Sequence, residues 1–150
     1  MKSIFQIVAS IACAVALTAC GGGGGGSDTP ATTTPTQPVF SKTDTVVGTG
    51  IEAAAGDKVT IHYTGYLYSE TASGNKGTQF ESSVGSMPFS FTVGRAEAIP
   101  GMDQGVVGMK AGGKRTVIMP ASMAYGSTPQ VKIPANSALV FDVQMVTIQR

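Results

Sequence analysis

A single stretch of this chain reads as a helix, and nearly all of the patterned sequence around it reads as strand. In Pro100 to Gly108 and just beyond, Met102, Val106 and Met109 recur at i, i+4 and i+7. Pro100 stands at the entrance, where a missing N–H costs little. On either side the apolar period is two. Val59, Ile61 and Tyr63 alternate with Lys58, Thr60, His62 and Thr64. Leu139, Phe141, Val143 and Met145 share one face of a run to Ile148, with Asp142 and Gln144 opposite. Thr116 to Met119 is β-branched or apolar, and Phe89 and Phe91 share a face of another short strand. Such patterning predicts an α+β domain of antiparallel strands with one short helix. Tyr68 to Thr78, rich in Ser, Glu, Ala, Gly, Asn and Lys, is expected to be a loop.

The chain divides into three parts. Residues 1–19 have a positive start at Lys2, an apolar run from Ile4 to Ala16 and the close Leu17-Thr18-Ala19-Cys20. The run is short for a membrane span, which needs about 20 residues, so it reads as a secretory signal peptide. The close is similar to a bacterial lipobox, in which cleavage precedes the cysteine and its thiol is lipidated. Residues 20–38 then comprise the lipidated Cys20, the glycine run Gly21–Gly26 and a Ser/Thr/Pro-rich segment. Neither can bury a core, so they are expected to form a tether with a mean reach of roughly 20–25 Å. Residues 39–150 carry the patterned sequence and form the expected globular domain.

Composition excludes several classes of chemistry. The two cysteines, Cys13 and Cys20, both precede that domain, so it has no disulfide. One histidine and no His/Cys cluster leave no structural zinc site on ligand count. The formal charge is +1 with Lys and Arg scattered, which gives no electrostatic footprint for nucleic acid. Gly108-x4-Gly113-Lys114 nearly spells a phosphate loop. It is followed by Arg115 rather than Ser or Thr, and it leads from helix to strand, the reverse of what phosphate binding needs. It reads as a glycine-rich turn. His62 lies on a polar strand face and reads as structural, and Ser82-Ser83 lacks a nucleophile-elbow context. Glu81 and Asp142 are not expected to share a site, because Asp142 faces away from Phe141. The aromatic set Tyr63, Phe80, Phe89, Phe91, Tyr125 and Phe141 fits either core packing or an apolar pocket.

Five pieces occur in a telling order: Ile61-His62-Tyr63-Thr64-Gly65, Phe80-Glu81-Ser82-Ser83, Pro88-Phe89-Ser90-Phe91, Ala98-Ile99-Pro100-Gly101-Met102 with its following helix, and Met123-Ala124-Tyr125-Gly126 leading to Leu139-Val140-Phe141-Asp142. Together they resemble the FKBP-type peptidyl-prolyl cis–trans isomerases over almost all of residues 39–150. The resemblance implies an antiparallel sheet of about five strands wrapped around one short α-helix. It implies an isomerase acting on X–Pro bonds, with no cofactor and with proline-containing polypeptides as clients. Macrolide inhibitors would bind in the same cleft. Tyr63, Glu81, Ile99, Tyr125 and Phe141 would carry catalysis. Within that group the Ile99 N–H and the Tyr125 hydroxyl would hold substrate carbonyls, and Glu81 would be the polar rim group. Phe80, Phe89, Ala98, Met102 and Ile133 would complete the substrate-binding walls and floor. With Cys20 lipidated, the resemblance to bacterial lipoproteins implies membrane attachment in a bacterial cell envelope. Gly21 after the cysteine, in place of Asp, is similar to an outer-membrane address facing the periplasm. The chain departs from the family pattern at Met102, where Trp is usual, and at Glu81, where Asp is usual. The segment between Tyr63 and Phe80 is longer than in small members, and the loop from Gly126 to Ile133 is slightly shorter.

Overall fold

The computed structural model describes residues 36–150. The signal peptide, Cys20 and nearly all of the expected tether lie outside the described residues. Eight strands and one helix follow one another: β1 Ser41–Val46, β2 Thr49–Glu52, β3 Lys58–Tyr68, β4 Lys76–Ser82, β5 Phe89–Thr92, α1 Pro100–Val106, β6 Lys110–Ala111, β7 Lys114–Met119 and β8 Leu139–Gln149. The main sheet runs β1-β7-β8-β3-β4, every pairing antiparallel, with β5 also on β3. The outer edge of β3 is divided between two partners. Lys58–Ile61 pair with β5, and Thr64–Tyr68 pair with β4. β2 and β6 form a separate two-stranded ribbon.

One face of this sheet is apolar, as the period-two pattern requires. Val59 and Ile61 of β3, Val117 and Met119 of β7, and Leu139, Phe141, Val143 and Met145 of β8 are all buried. α1 lies on this face and adds Met102 and Val106. Two glycines set the depth of that contact. A Cβ on Gly101 would come within 2.9 Å of Met119 Cβ, and one on Gly105 within 2.9 Å of Val117 Cγ2. The helix therefore rests with its backbone against β7.

The opposite face is mixed: Val140 is buried there beside its partners Ile118 and Tyr66, and the polar groups pair with one another. Asp142 accepts from Lys76 Nζ at 2.7 Å and from Thr116 Oγ1 at 2.8 Å. His62 donates through Nδ1 to the Ser83 carbonyl at 3.0 Å, in the structural role expected for it.

Several sequence boundaries shift. The stretch Tyr68 to Thr78 is a loop in its middle, residues 69–75, as expected, but its two ends are strand: β3 runs through Tyr68 and β4 begins at Lys76. The extra length between Tyr63 and Phe80 is thus shared between a longer hairpin and its seven-residue turn. α1 ends at Val106, two residues before Gly108, because Val107 turns to φ −58°, ψ 130° and Gly108 to φ +82°. Met109 is still buried, beyond the helix end. β1 had no sequence signal, since all six of its residues are exposed on the sheet edge.

Candidate active site

Register across β3 decides which side chains meet. Gly65 stands opposite Glu81 of β4 and opposite Phe141 of β8, whereas Thr64 stands opposite Ser82 and Asp142. Side chains alternate faces, so Asp142 lies across the sheet from Phe141, as its sequence position indicated. Gly65 itself carries no side chain for a physical reason. A Cβ there would overlap the Phe80 ring and lie 2.9 Å from Phe141 Cε1. Its absence lets both rings lie flat against the strand.

A bulge then sets the next feature. Gly65 pairs with Glu81 but Tyr66 pairs with Gln79, so Phe80 is the extra residue on β4. The bulge lets neighbours serve one side of the sheet: Phe80 is buried in the core while Glu81 lines the cleft. Strict alternation would have sent one of them to the far face.

The aromatic rings form a continuous series across four strands. Phe80 meets Phe141 edge-on with centroids 5.6 Å apart, and Phe141 meets Tyr63 at 5.9 Å. Tyr63 meets Phe89 edge-on at 6.2 Å, and Phe89 stacks on Phe91 at 5.4 Å. Edge-to-face pairs at these separations are favourable beyond their buried area. Phe91 is fully buried and belongs to the core, while Phe89 remains 36% exposed at the cleft.

Above these rings opens a cleft of about 800 Å³. Tyr63, Glu81, Phe89, Ala98, Ile99, Met102, Tyr125 and Phe141 all line it. Phe80 and Ile133 do not. They line an adjoining groove of about 350 Å³, which shares Glu81 and Tyr125 with the cleft. Both are largely buried, and Phe80 packs edge-on against Phe141 of the cleft. Ile99 caps α1: its carbonyl accepts from the N–H groups of Met102 at 2.9 Å and Asp103 at 3.0 Å. Among the described residues nothing accepts from its own N–H, which leaves that donor for a ligand.

Electrostatics keep the two tyrosines neutral. Burial, followed by the nearby Glu81 carboxylate, pushes the Tyr63 hydroxyl up to about 12. Burial and Glu81 raise Tyr125 as well. Both phenols therefore stay protonated and able to donate at any ordinary pH. Among the described residues no group of three or more His, Cys, Asp or Glu side chains could hold a metal ion.

Among the cleft-lining residues that sequence reasoning missed are two carboxylates, Glu97 and Asp103. Asp103 Oδ1 accepts the Gly94 N–H at 2.9 Å, and Glu97 Oε2 accepts the Thr92 N–H at 2.8 Å. These carboxylates pin the β5–α1 connection that forms one lip of the cleft. Neither has a signature, because each binds backbone and its partner can be any residue.

The family whose description is FKBP-type peptidyl-prolyl cis-trans isomerase matches residues 50–146. The chain belongs to that family. It is 42% identical over 106 residues to FK506-binding protein 3 of Candida albicans, covering 71% of this chain and 23% of that protein. It is 41% identical over 105 residues to FK506-binding protein 1 of Aspergillus oryzae, covering 67% of this chain and 90% of that protein. The chain thus spans about a quarter or less of the larger fungal relatives, and the FKBP-type domain is what they share. Among solved structures, FkpA from Escherichia coli superposes with a TM-score of 0.61 at 31% identity, covering 73% of this chain and 48% of the other. AtFKBP13 gives 0.61 at 34% identity, covering 72% and 91%. The fold is therefore FKBP-like, as the sequence resemblance implied.

Proposed function

We propose that the protein accelerates cis–trans isomerisation of X–Pro bonds in polypeptide clients, with the cleft between β3, β8 and α1 as its active site. The observation that carries this reading is the apolar cleft of Tyr63, Phe89, Met102 and Phe141, bordered by the Ile99 N–H and Tyr125. Rotation about an X–Pro bond breaks amide resonance against a barrier of roughly 18–20 kcal/mol. No bond is made and no proton need move, so the reaction asks for no nucleophile or acid–base pair. In the twisted transition state the carbonyl loses conjugation and much of its dipole. A dry aromatic wall disfavours the polar planar amide relative to that state. Donors such as the Ile99 N–H and the Tyr125 hydroxyl would hold the flanking carbonyls while the bond turns. A rate gain of about 10^4 corresponds to roughly 5.5 kcal/mol, within reach of desolvation and a few oriented contacts.

Macrolides that mimic a prolyl ring fit the same cleft. In the cell we place the domain on a bacterial envelope membrane, facing the periplasm from the outer membrane and held by lipid on Cys20. The Leu17-Thr18-Ala19-Cys20 close and the glycine run after it support this. Lipid contributes about 0.8 kcal/mol per buried CH2, so more than one chain on Cys20 would make attachment stable.

Met102 favours a second reading, in which the cleft binds proline segments as a chaperone module with little catalysis, because a flexible side chain replaces a rigid floor. The deciding experiment is a peptidyl-prolyl isomerisation assay on the purified protein with a short X–Pro peptide. A rate well above background supports the enzyme. Binding of the peptide with no acceleration supports the module. Attachment is tested by Cys20→Ser, which is expected to release the protein from membranes or leave it unprocessed; a mutant that is processed and still membrane-bound would overturn the lipid anchor.

A further inference from the structure

The loop between β7 and β8 carries Tyr125 and Ile133, and a side chain from outside the sheet holds both of its ends. That side chain is Gln37, four residues before β1. Its Oε1 accepts the Ala121 N–H at 2.8 Å, and its Nε2 donates to the Asn136 carbonyl at 2.9 Å. Ala121 opens the loop just after β7, and Asn136 closes it just before β8. The two ends are also joined through the loop itself. Gly126 N–H donates to the Ala121 carbonyl at 2.8 Å, and Asn136 N–H donates to the Gly126 carbonyl at 2.7 Å. Gly126 is the residue after Tyr125. Gln37, Ala121, Gly126 and Asn136 thus close a ring of hydrogen bonds around the backbone that bears the tyrosine.

Chemistry makes the residue type specific. Ala121 N–H can only donate and the Asn136 carbonyl can only accept. The bridge therefore needs one acceptor and one donor on a single short side chain, which is what a carboxamide supplies. Asn136 adopts φ +58°, a left-handed conformation that the hydrogen bonds on its N–H and carbonyl help to hold.

We propose that Gln37 is a positioning residue: it fixes the loop that sets Tyr125 over the cleft, and so links the N-terminal segment to the active site. The role of Tyr125 in turnover rests on the isomerase reading above. The link itself does not.

The test uses the full chain. Gln37→Ala is expected to lower kcat/KM about three- to fivefold, the loss typical of one or two partly exposed hydrogen bonds. Gln37→Glu, which keeps an acceptor for Ala121 but sets a carboxylate oxygen against the Asn136 carbonyl, should not recover the wild-type value. A purely structural role would not couple to the tyrosine, so the decisive measurement is a double-mutant cycle. Tyr125→Phe should cost clearly less in the Gln37→Ala background than in wild type. Additive effects, or an unchanged kcat/KM in Gln37→Ala, would overturn the proposal.

A second readout works without turnover. In Gln37→Ala the amides of Ala121, Gly126 and Asn136 should exchange hydrogen about tenfold faster, with β3 and β8 unchanged. A protein that shows no isomerase activity but does show this local acceleration would refute the enzyme reading and keep the positioning role. Unchanged exchange at these three amides would sink it.

Discussion

Arg115 grips Asp44 through two hydrogen bonds, Nε to Oδ1 at 2.6 Å and Nη2 to Oδ2 at 3.0 Å. The same guanidinium turns its Nη1 to the carbonyls of Gly105 at 2.7 Å and Val107 at 2.8 Å. Lys42 reaches the Val107 carbonyl as well, at 3.3 Å. Two cations thus satisfy the C-terminal carbonyls of α1, where the helix dipole favours positive charge. The residue that anchors the edge strand β1 also fixes the far end of the helix whose near end is Ile99.

Asp44 lies below its ordinary range because it accepts hydrogen bonds from Arg115 and feels its charge. A carboxyl whose folded value is depressed stabilises the fold above its unfolded value, and that contribution is lost as pH falls through the folded value. Asp44→Asn should therefore cost on the order of 1 kcal/mol at neutral pH, small because the Asp44 side chain is 44% exposed. The difference in Tm between wild type and Asp44→Asn should narrow as pH drops below about 4. Arg115→Met should cost more, on the order of 3 kcal/mol, because two helix carbonyls lose their donor in a buried place. Thermal melts from pH 2 to pH 7 check both, and a Tm difference independent of pH would contradict the pairing.

At the alkaline end the sign reverses. Tyr63 is raised from 10.0 to about 12 and Tyr125 is raised as well, so the fold holds both protons more tightly than the unfolded chain does. Stability from these groups is complete below pH 10 and is lost as pH climbs from there toward 12. Ultraviolet titration should show Tyr63 and Tyr125 ionising later than a free phenol does. Glu81→Gln removes the charge that opposes phenolate formation and should bring Tyr63 down. The pH–rate profile should be flat between about 6 and 9, since neither phenol changes state there. A break in that window would mean another group titrates in catalysis.

Much of this arrangement was legible before the structure. Alternation in Lys58–Thr64 and Leu139–Ile148 fixed which side chains face inward, and Pro100 with Met102 and Val106 located the helix. β1 was not legible, because a strand paired on a sheet edge with both faces wet needs no apolar period. The bulge at Phe80 was not either: alternation separates Phe80 from Glu81, and only the partner strand reveals the skipped residue. The resemblance grouped Phe80 and Ile133 with the cleft lining, whereas the structure sets them on the adjoining groove. Sequence order cannot tell which of two neighbouring hollows a side chain faces.

Burial predicts a division of labour between Tyr125 and Phe141. Tyr125 is half-buried at the cleft, so Tyr125→Phe deletes a hydroxyl and leaves the packing intact. Turnover should fall about fivefold, near 1 kcal/mol for one net hydrogen bond. Phe141 is 2% exposed and touches both Tyr63 and Phe80. Phe141→Ala should cost roughly 3–5 kcal/mol of stability through the cavity it leaves, and most of the activity with it. The assay is the isomerisation rate beside the melting temperature. Equal rate losses in two well-folded variants would contradict the split.

Met102 separates an isomerase from a binding module. It is 4% exposed and lines the cleft from α1. The helix cannot retreat to admit a larger side chain, because Gly101 and Gly105 already bring its backbone against Met119 and Val117. The added volume of Met102→Trp must therefore enter the cleft of about 800 Å³. Trp offers a broad flat surface with few rotamers, whereas Met must be ordered on each binding event at an entropic cost of up to about 2 kcal/mol. If floor rigidity limits the wild type, the variant should isomerise a short X–Pro peptide about fivefold faster and bind a prolyl-mimicking macrolide more tightly, equivalent to about 1 kcal/mol. If the ring instead collides with Ala98, Tm and rate should fall together, as overpacking requires. A wild type without activity, whose Trp variant stays folded and gains none, would leave proline-segment binding as the function of the cleft.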